Sequence, residues 1–95
     1  MTMSEQSGDW TPKIEARLRA ALDPLELEVH NDSDAHAGHA GSPGTGNSHF
    51  RVRVVSPRFA GESLVQRHRR IYEILAEEMQ SGIHALAIEA RTPGE

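Results

Sequence analysis

The sequence predicts an α+β sandwich, a three-stranded mixed sheet with helices packed on one face, and three observations predict it. Two segments, LELEVH from Leu25 and FRVRVV from Phe50, alternate apolar and polar residues, the period of a half-buried strand. Between Ser63 and Gly82 the apolar residues instead recur at helical spacing, and beyond Gly82 the run IHALAIEA reads as a third strand. A chain of 95 residues has room for one domain with one core. The order is helix, strand, strand, helix, strand. The second strand, the long helix and the last strand form a crossover unit, right-handed if its two strands are parallel neighbours. Such a sheet buries its apolar face under helices.

The elements follow in order. Residues 1–10 are polar and slightly acidic and are expected to form a disordered tail, with the folded domain at 11–91 and a polar tail at 92–95. Thr11-Pro12 is a helix start, Thr as cap and Pro at the first helical position. Ile14, Leu18, Ala21 and Leu22 form its apolar side, with Arg17 and Arg19 outward, and Asp23-Pro24 ends it. On the first strand Leu25, Leu27 and Val29 face the core. On the second Phe50, Val52 and Val54 do. Antiparallel pairing then sets Glu26 and Glu28 near Arg51 and Arg53, a favourable cross-strand match. SPRFAGES is a turn with Phe59 as its aromatic plug. Ser63 and Gln66 make a capping box, and the helix that follows carries a stripe of Leu64, Val65, His68, Ile71, Tyr72, Leu75, Ala76 and Met79. Ser81-Gly82 stops it.

Composition narrows the function. A net charge of -4 argues against a surface built throughout for nucleic acid, though a local basic patch is compatible with it. There is no cysteine, hence no disulfide and no thiolate ligand. No apolar run approaches the roughly 18 residues of a membrane span, and the N-terminus is unlike a signal or transit peptide, so a cytoplasmic protein with no membrane partner is expected. No Ser/His/Asp ordering or paired carboxylate cluster stands out. Glu77 and Glu78 read as the solvated side of the long helix. The expectation is therefore a protein that is not an enzyme.

The segment 32–48, Gly-, Ser- and His-rich, is long for a hairpin connection, where about two to five residues are usual. Its GSPGTG lacks the Gly-Lys-Ser/Thr of a phosphate-binding loop. Long loops kept in small domains tend to carry function, and His36 and His39 are its side chains with coordinating power. His84 sits where a helix end meets a strand start, a place for a half-exposed imidazole on rigid backbone and hence a ligand for borderline metals. Two loop imidazoles alone make a weak site, since tetrahedral zinc takes four protein ligands or three plus water. A site shared with a partner is easier to build, although a zinc or copper chelator is the competing reading. His68, on the stripe, reads as a structural histidine holding the helix to the sheet, and His30 and His49 as surface residues at strand ends. Arg58, Arg67, Arg69 and Arg70 form a basic run that either contacts phosphates or is a solvated helix face.

SHFRVRVVSPRFAG, SLVQRHRRIYEILAEEM and IHALAIEARTPGE, taken together, resemble the BolA-like proteins along nearly all of Thr11 to Glu95. The combination of Arg-His-Arg followed by Ile-Tyr, and of His-Ala-Leu ahead of Thr-Pro, carries the match. The resemblance implies a class II KH-like αββαβ fold. It also implies a non-catalytic adaptor in iron–sulfur cluster assembly, trafficking or iron sensing that pairs with a monothiol glutaredoxin. In such a heterodimer a [2Fe-2S] cluster is shared: the glutaredoxin and its glutathione supply thiolates, and the BolA-like protein supplies the rest. The histidine of His-Ala-Leu falls on His84, and the family's loop histidine falls on His36, with His39 as the alternative. Histidine ligation raises the cluster's potential and makes the site pH-sensitive, because a ligand imidazole must be neutral. Some family members are DNA-binding transcriptional regulators, which makes DNA the alternative partner through Arg58, Arg67, Arg69 and Arg70. A KH domain grips nucleic acid with a GXXG loop, and the stretch from Phe59 to Ser63 lacks one.

Overall fold

The structure, a computed structural model, describes residues 8–33 and 46–95. Helix α1 (Thr11–Leu22) leads into β1 (Glu26–Asn31) and β2 (His49–Val55). A 3-10 turn, Pro57–Phe59, is followed by α2 (Leu64–Ile74), α3 (Ala76–Ser81) and β3 (Ala85–Arg91). The sheet order is β1-β2-β3, with β1 antiparallel and β3 parallel to β2. This is the predicted αββαβ frame with the helical crossover in two pieces.

The core is the helix-facing side of the sheet. Val29, Phe50, Val52, Val54 and Ala90 meet Ile14, Leu18 and Leu22 of α1, with Phe59, Ile71, Leu75 and Ile83 closing the layer. On the opposite face Arg53 reaches Glu26 at 2.8 Å, Glu89 at 3.5 Å and Glu28 at 3.8 Å. Arg51 departs from the expected match and bonds Asp32 at 3.2 Å. Leu25, expected to face the core, is 67% exposed: it lies in the bend before β1, where its N–H bonds the Val55 carbonyl at 2.8 Å and its side chain turns to solvent.

Three further expectations change. The long helix breaks at Leu75, whose φ of -101° and ψ of 23° interrupt the α-helical repeat. The buried side of the crossover is also rotated from the apolar stripe. Arg67, Ile71, Leu75 and Glu78 point inward, while Leu64, Val65 and Tyr72 are exposed. Glu78, expected on the solvated side, is fully buried, its Oε2 accepting from Arg17 Nε at 2.7 Å. Its other oxygen lacks a partner among the described residues. Finally, both supposed tails begin or end inside the fold. Trp10 is 9% exposed and belongs to the core, and it takes the cap position of α1 in place of Thr11. The Asp9 carboxylate accepts from both the Thr11 N–H and hydroxyl. At the other end, the Glu95 carboxylate forms a two-bond pair with Arg67 at 2.7 and 2.9 Å. The capping box at Ser63 is present as predicted: Ser63 Oγ accepts from Gln66 N at 3.1 Å and Gln66 Oε1 from Ser63 N at 2.8 Å.

Candidate functional site

Two of the residues singled out by the sequence, His84 and Arg67, meet the two ends of β3. Parallel pairing to β2 puts His49 beside Ala85 and Val55 beside Arg91. The N-terminal end of β3 therefore lies at the mouth of the segment that joins β1 to β2. The C-terminal end lies under the start of α2.

His84 stands at the first of these ends. After α3, Gly82 and Ile83 both donate their N–H groups to the Glu78 carbonyl, which turns the chain sharply toward the sheet. Ile83 is 5% exposed and anchors the turn in the core. His84 then donates its N–H to the Ser48 carbonyl at 2.7 Å, and Ala85 donates to the same oxygen at 3.1 Å. The backbone is fixed while the imidazole is exposed. The imidazole is thus carried on fixed backbone and is open to approach from outside.

Both stems of the loop meet at this place. Ser33, at the exit from β1, and Asn47 and Ser48, at the entry to β2, are buried. Asn31 Nδ2 ties the stems together by donating to the Gly46 carbonyl at 2.8 Å and to Asp9 Oδ1 at 3.0 Å. Burial raises the Asp9 carboxyl, but hydrogen bonds from Asn31 and Thr11 outweigh it and hold the group below its ordinary value. His36 and His39 lie outside the described residues. Among those that are described, no group of three or more His, Cys, Asp or Glu side chains is arranged around a metal. Ser33, Asn47 and Ser48 were not visible as site residues in the sequence, where a Ser or Asn in a Gly-rich run reads only as turn chemistry.

The other end of β3 disposes of the basic run. Arg67 is 7% exposed. Its guanidinium donates to the Glu62 carbonyl at 3.0 Å, to the Ala90 carbonyl at 3.1 Å and to Glu95, and packs over the Phe59 ring. Glu95 holds its pKa above the ordinary arginine value. Arg67 is a structural clamp, and a phosphate would have to displace its carboxylate. Arg70 is paired with Glu62, which the Arg70 hydrogen bond holds below the ordinary carboxylate range. Arg58 donates to the Ala21 carbonyl at 2.9 Å, near the end of α1. Arg69 lines a shallow groove along α2 with Val65, Tyr72 and Ala76. His68 lines the same groove and is half-buried. Its expected role of fastening the helix to the sheet falls to its neighbour Arg67, because the helix is rotated by about one residue (~100°) from the apolar stripe.

No helix of the described residues is long and apolar enough to cross a membrane. Residues 18–95 match the family model described as BolA-like protein. A SufE-like protein 1 of Arabidopsis thaliana, chloroplastic/mitochondrial, is 53% identical over 87 residues, which cover 87% of this chain and 24% of that protein. The chain thus spans about a quarter of that relative's length. The DNA-binding transcriptional regulator BolA of Escherichia coli is 49% identical over 80 residues, 84% of this chain and 72% of that one. Among solved structures, BolA1 from Arabidopsis thaliana superposes with a TM-score of 0.81 at 41% identity, covering 90% of this chain and 94% of that one. With family residues, element order and fold in agreement, this chain belongs to the BolA-like family.

Proposed function

We propose that this protein is an adaptor in iron–sulfur cluster handling that shares a [2Fe-2S] cluster with a monothiol glutaredoxin. The observation that carries the proposal is His84: an exposed imidazole on a backbone fixed by two hydrogen bonds to Ser48, at the mouth of a loop that contains two more histidines. The residues fit a shared site and not a self-contained one. The chain has no cysteine, so the thiolates such clusters require come from the glutaredoxin and its glutathione. This chain supplies His84 and one loop histidine, His36 or alternatively His39. The cluster's part is to carry electrons or to be handed on. The protein's part is to present neutral imidazoles, that of His84 on a fixed backbone, and to leave the site open to the partner. Because a ligand imidazole must be neutral, acidification releases the cluster.

Anaerobic reconstitution of the pair with glutathione tests the reading by visible absorption and circular dichroism. The expected spectrum differs from that of the glutaredoxin homodimer and reverts to it in His84→Ala. A spectrum indifferent to the presence of this protein would refute shared ligation.

The second reading, DNA binding, is favoured by the name of the Escherichia coli relative. Of the four arginines that suggested it, Arg67, Arg70 and Arg58 are engaged with protein acceptors, which leaves Arg69 as the cation best disposed to meet a phosphate. DNA affinity that falls steeply with salt and weakens in Arg69→Ala would support it.

A further inference from the structure

We propose that Ser33 and Asn47 are positioning residues for His84, acting together by immobilising the Ser48 peptide group on which His84 hangs. The Ser33 hydroxyl accepts from two successive N–H groups, Ser48 at 2.9 Å and His49 at 3.2 Å. A hydroxyl has two acceptor lone pairs, and both are used here. Ser33 is itself held, its N–H donating to Asn31 Oδ1 at 2.9 Å. On the other side of Ser48, Asn47 is 2% exposed. It accepts from the Trp10 N–H at 2.9 Å and donates to the Gly8 carbonyl at 3.0 Å. Ser48 is thus gripped through both neighbours, by the β1 exit and by the segment that leads into α1. Its carbonyl is what the His84 and Ala85 N–H groups bind.

The same N-terminal segment constrains the approach to His84 from behind. A Cβ on Gly82 would stand 3.4 Å from Trp10 Cη2, so the indole and the turn before His84 are in close contact. Asn47 holds Trp10, and Trp10 backs Gly82. Ser33, Asn47 and Ser48 are buried, and their hydrogen bonds supply the partners that buried polar groups need. Their effect on a ligand is through aim. A donor must be held within about 0.5 Å of its productive position, and outer residues that orient a metal ligand typically change affinity by about 10–100-fold.

The inference rests on the proposed role of His84 only in its last step, and the test separates the two. In the free protein, amide hydrogen exchange is followed in native, Ser33→Ala and Asn47→Ala chains. Leu27→Ala, in the middle of β1, serves as the control for general destabilisation. Losing the Ser33 acceptor is expected to speed exchange at His84 and Ala85 by about tenfold, the worth of one hydrogen bond. Exchange at Leu25 and Ser56, at the far end of the sheet, follows the control. With glutaredoxin and glutathione, Ser33→Ala is expected to weaken the mixed cluster by about 10–100-fold and to change its circular dichroism, while Leu27→Ala leaves the spectrum as in the native pair. Exchange at His84 and Ala85 that merely tracks the control, in both variants, overturns the proposal. Fast exchange there in the native chain overturns it as well, which covers the case of variants that do not fold. Selective loosening with an unaltered mixed spectrum also overturns it. If no mixed cluster forms even with the native chain, the adaptor reading fails, and the exchange data alone decide whether Ser33 and Asn47 position His84.

Discussion

At one end of β3 the Arg67 guanidinium is buried and directed at the carbonyls of Glu62 and Ala90 and the carboxylate of Glu95. At the other end the His84 backbone is held as firmly, yet its imidazole stands in solvent. Both ends are rigid, and they differ in what is left over. At the Arg67 end the side chain's charge is satisfied internally and serves the fold. At the His84 end backbone groups do the fixing, which leaves the imidazole exposed to solvent. A basic run in a sequence is charge, and only the packing decides whether that charge is available.

Changes at the two ends should separate fold from function. The largest loss of stability is expected from Trp10→Ala, which empties the aromatic contact behind Gly82. Denaturant titration should show a loss of about 3 kcal/mol, toward the lower bound for burying an aromatic because Trp10 keeps 9% of its surface exposed. Had residues 1–10 been a tail, the loss would be negligible. Next comes Arg67→Ala, which orphans the Ala90 carbonyl at the closed end. Its melting temperature should fall further than that of Arg58→Ala, Arg69→Ala or Arg70→Ala, whose side chains reach water.

Acid sharpens the contrast. The Arg67 hydrogen bond, reinforced by Thr92, lowers the Glu95 carboxyl from 4.5 to about 2. A folded value below the unfolded one stabilises fully above the unfolded pKa and is lost as pH falls through the folded pKa. The clamp should therefore weaken between pH 4.5 and pH 2, and Glu95→Gln should flatten that part of the stability profile. The effect is modest, since Glu95 remains 46% exposed and solvent screens the pair. The smallest effect belongs to the outer side of α2. Tyr72→Ser, at a position 42% exposed, should change stability by no more than about 0.5 kcal/mol, although the residue sits on the apolar stripe.

Legibility in the sequence followed the range of the forces. Alternation in LEVH and FRVRVV and the Ser63/Gln66 box are local, so the strands, their pairing and the helix start could be read directly. The side α2 buries could not. Leu64, Val65 and Tyr72 look like core and are exposed, whereas Arg67 and Glu78 look like surface and are buried. Their partners, Glu95 and Arg17, lie 28 and 61 positions away, and no local pattern announces such pairs. Trp10 escaped for the same reason, being recruited by Asn47 across 37 positions. The place of His84, exposed just before β3, was legible because a Gly turn before a strand is a local signal. Its supports Ser33 and Asn47 were not.

The central claim is that His84 of this chain binds the shared cluster, and pulsed electron paramagnetic resonance of the reduced complex tests it most directly. This chain would be labelled with 15N-histidine and the glutaredoxin left unlabelled. The account predicts strong 15N hyperfine coupling to the cluster, with the His84 contribution absent in His84→Ala while that chain's stability stays within about 0.5 kcal/mol of native. A reduced cluster in the mixed complex that shows no 15N coupling from this chain would contradict it.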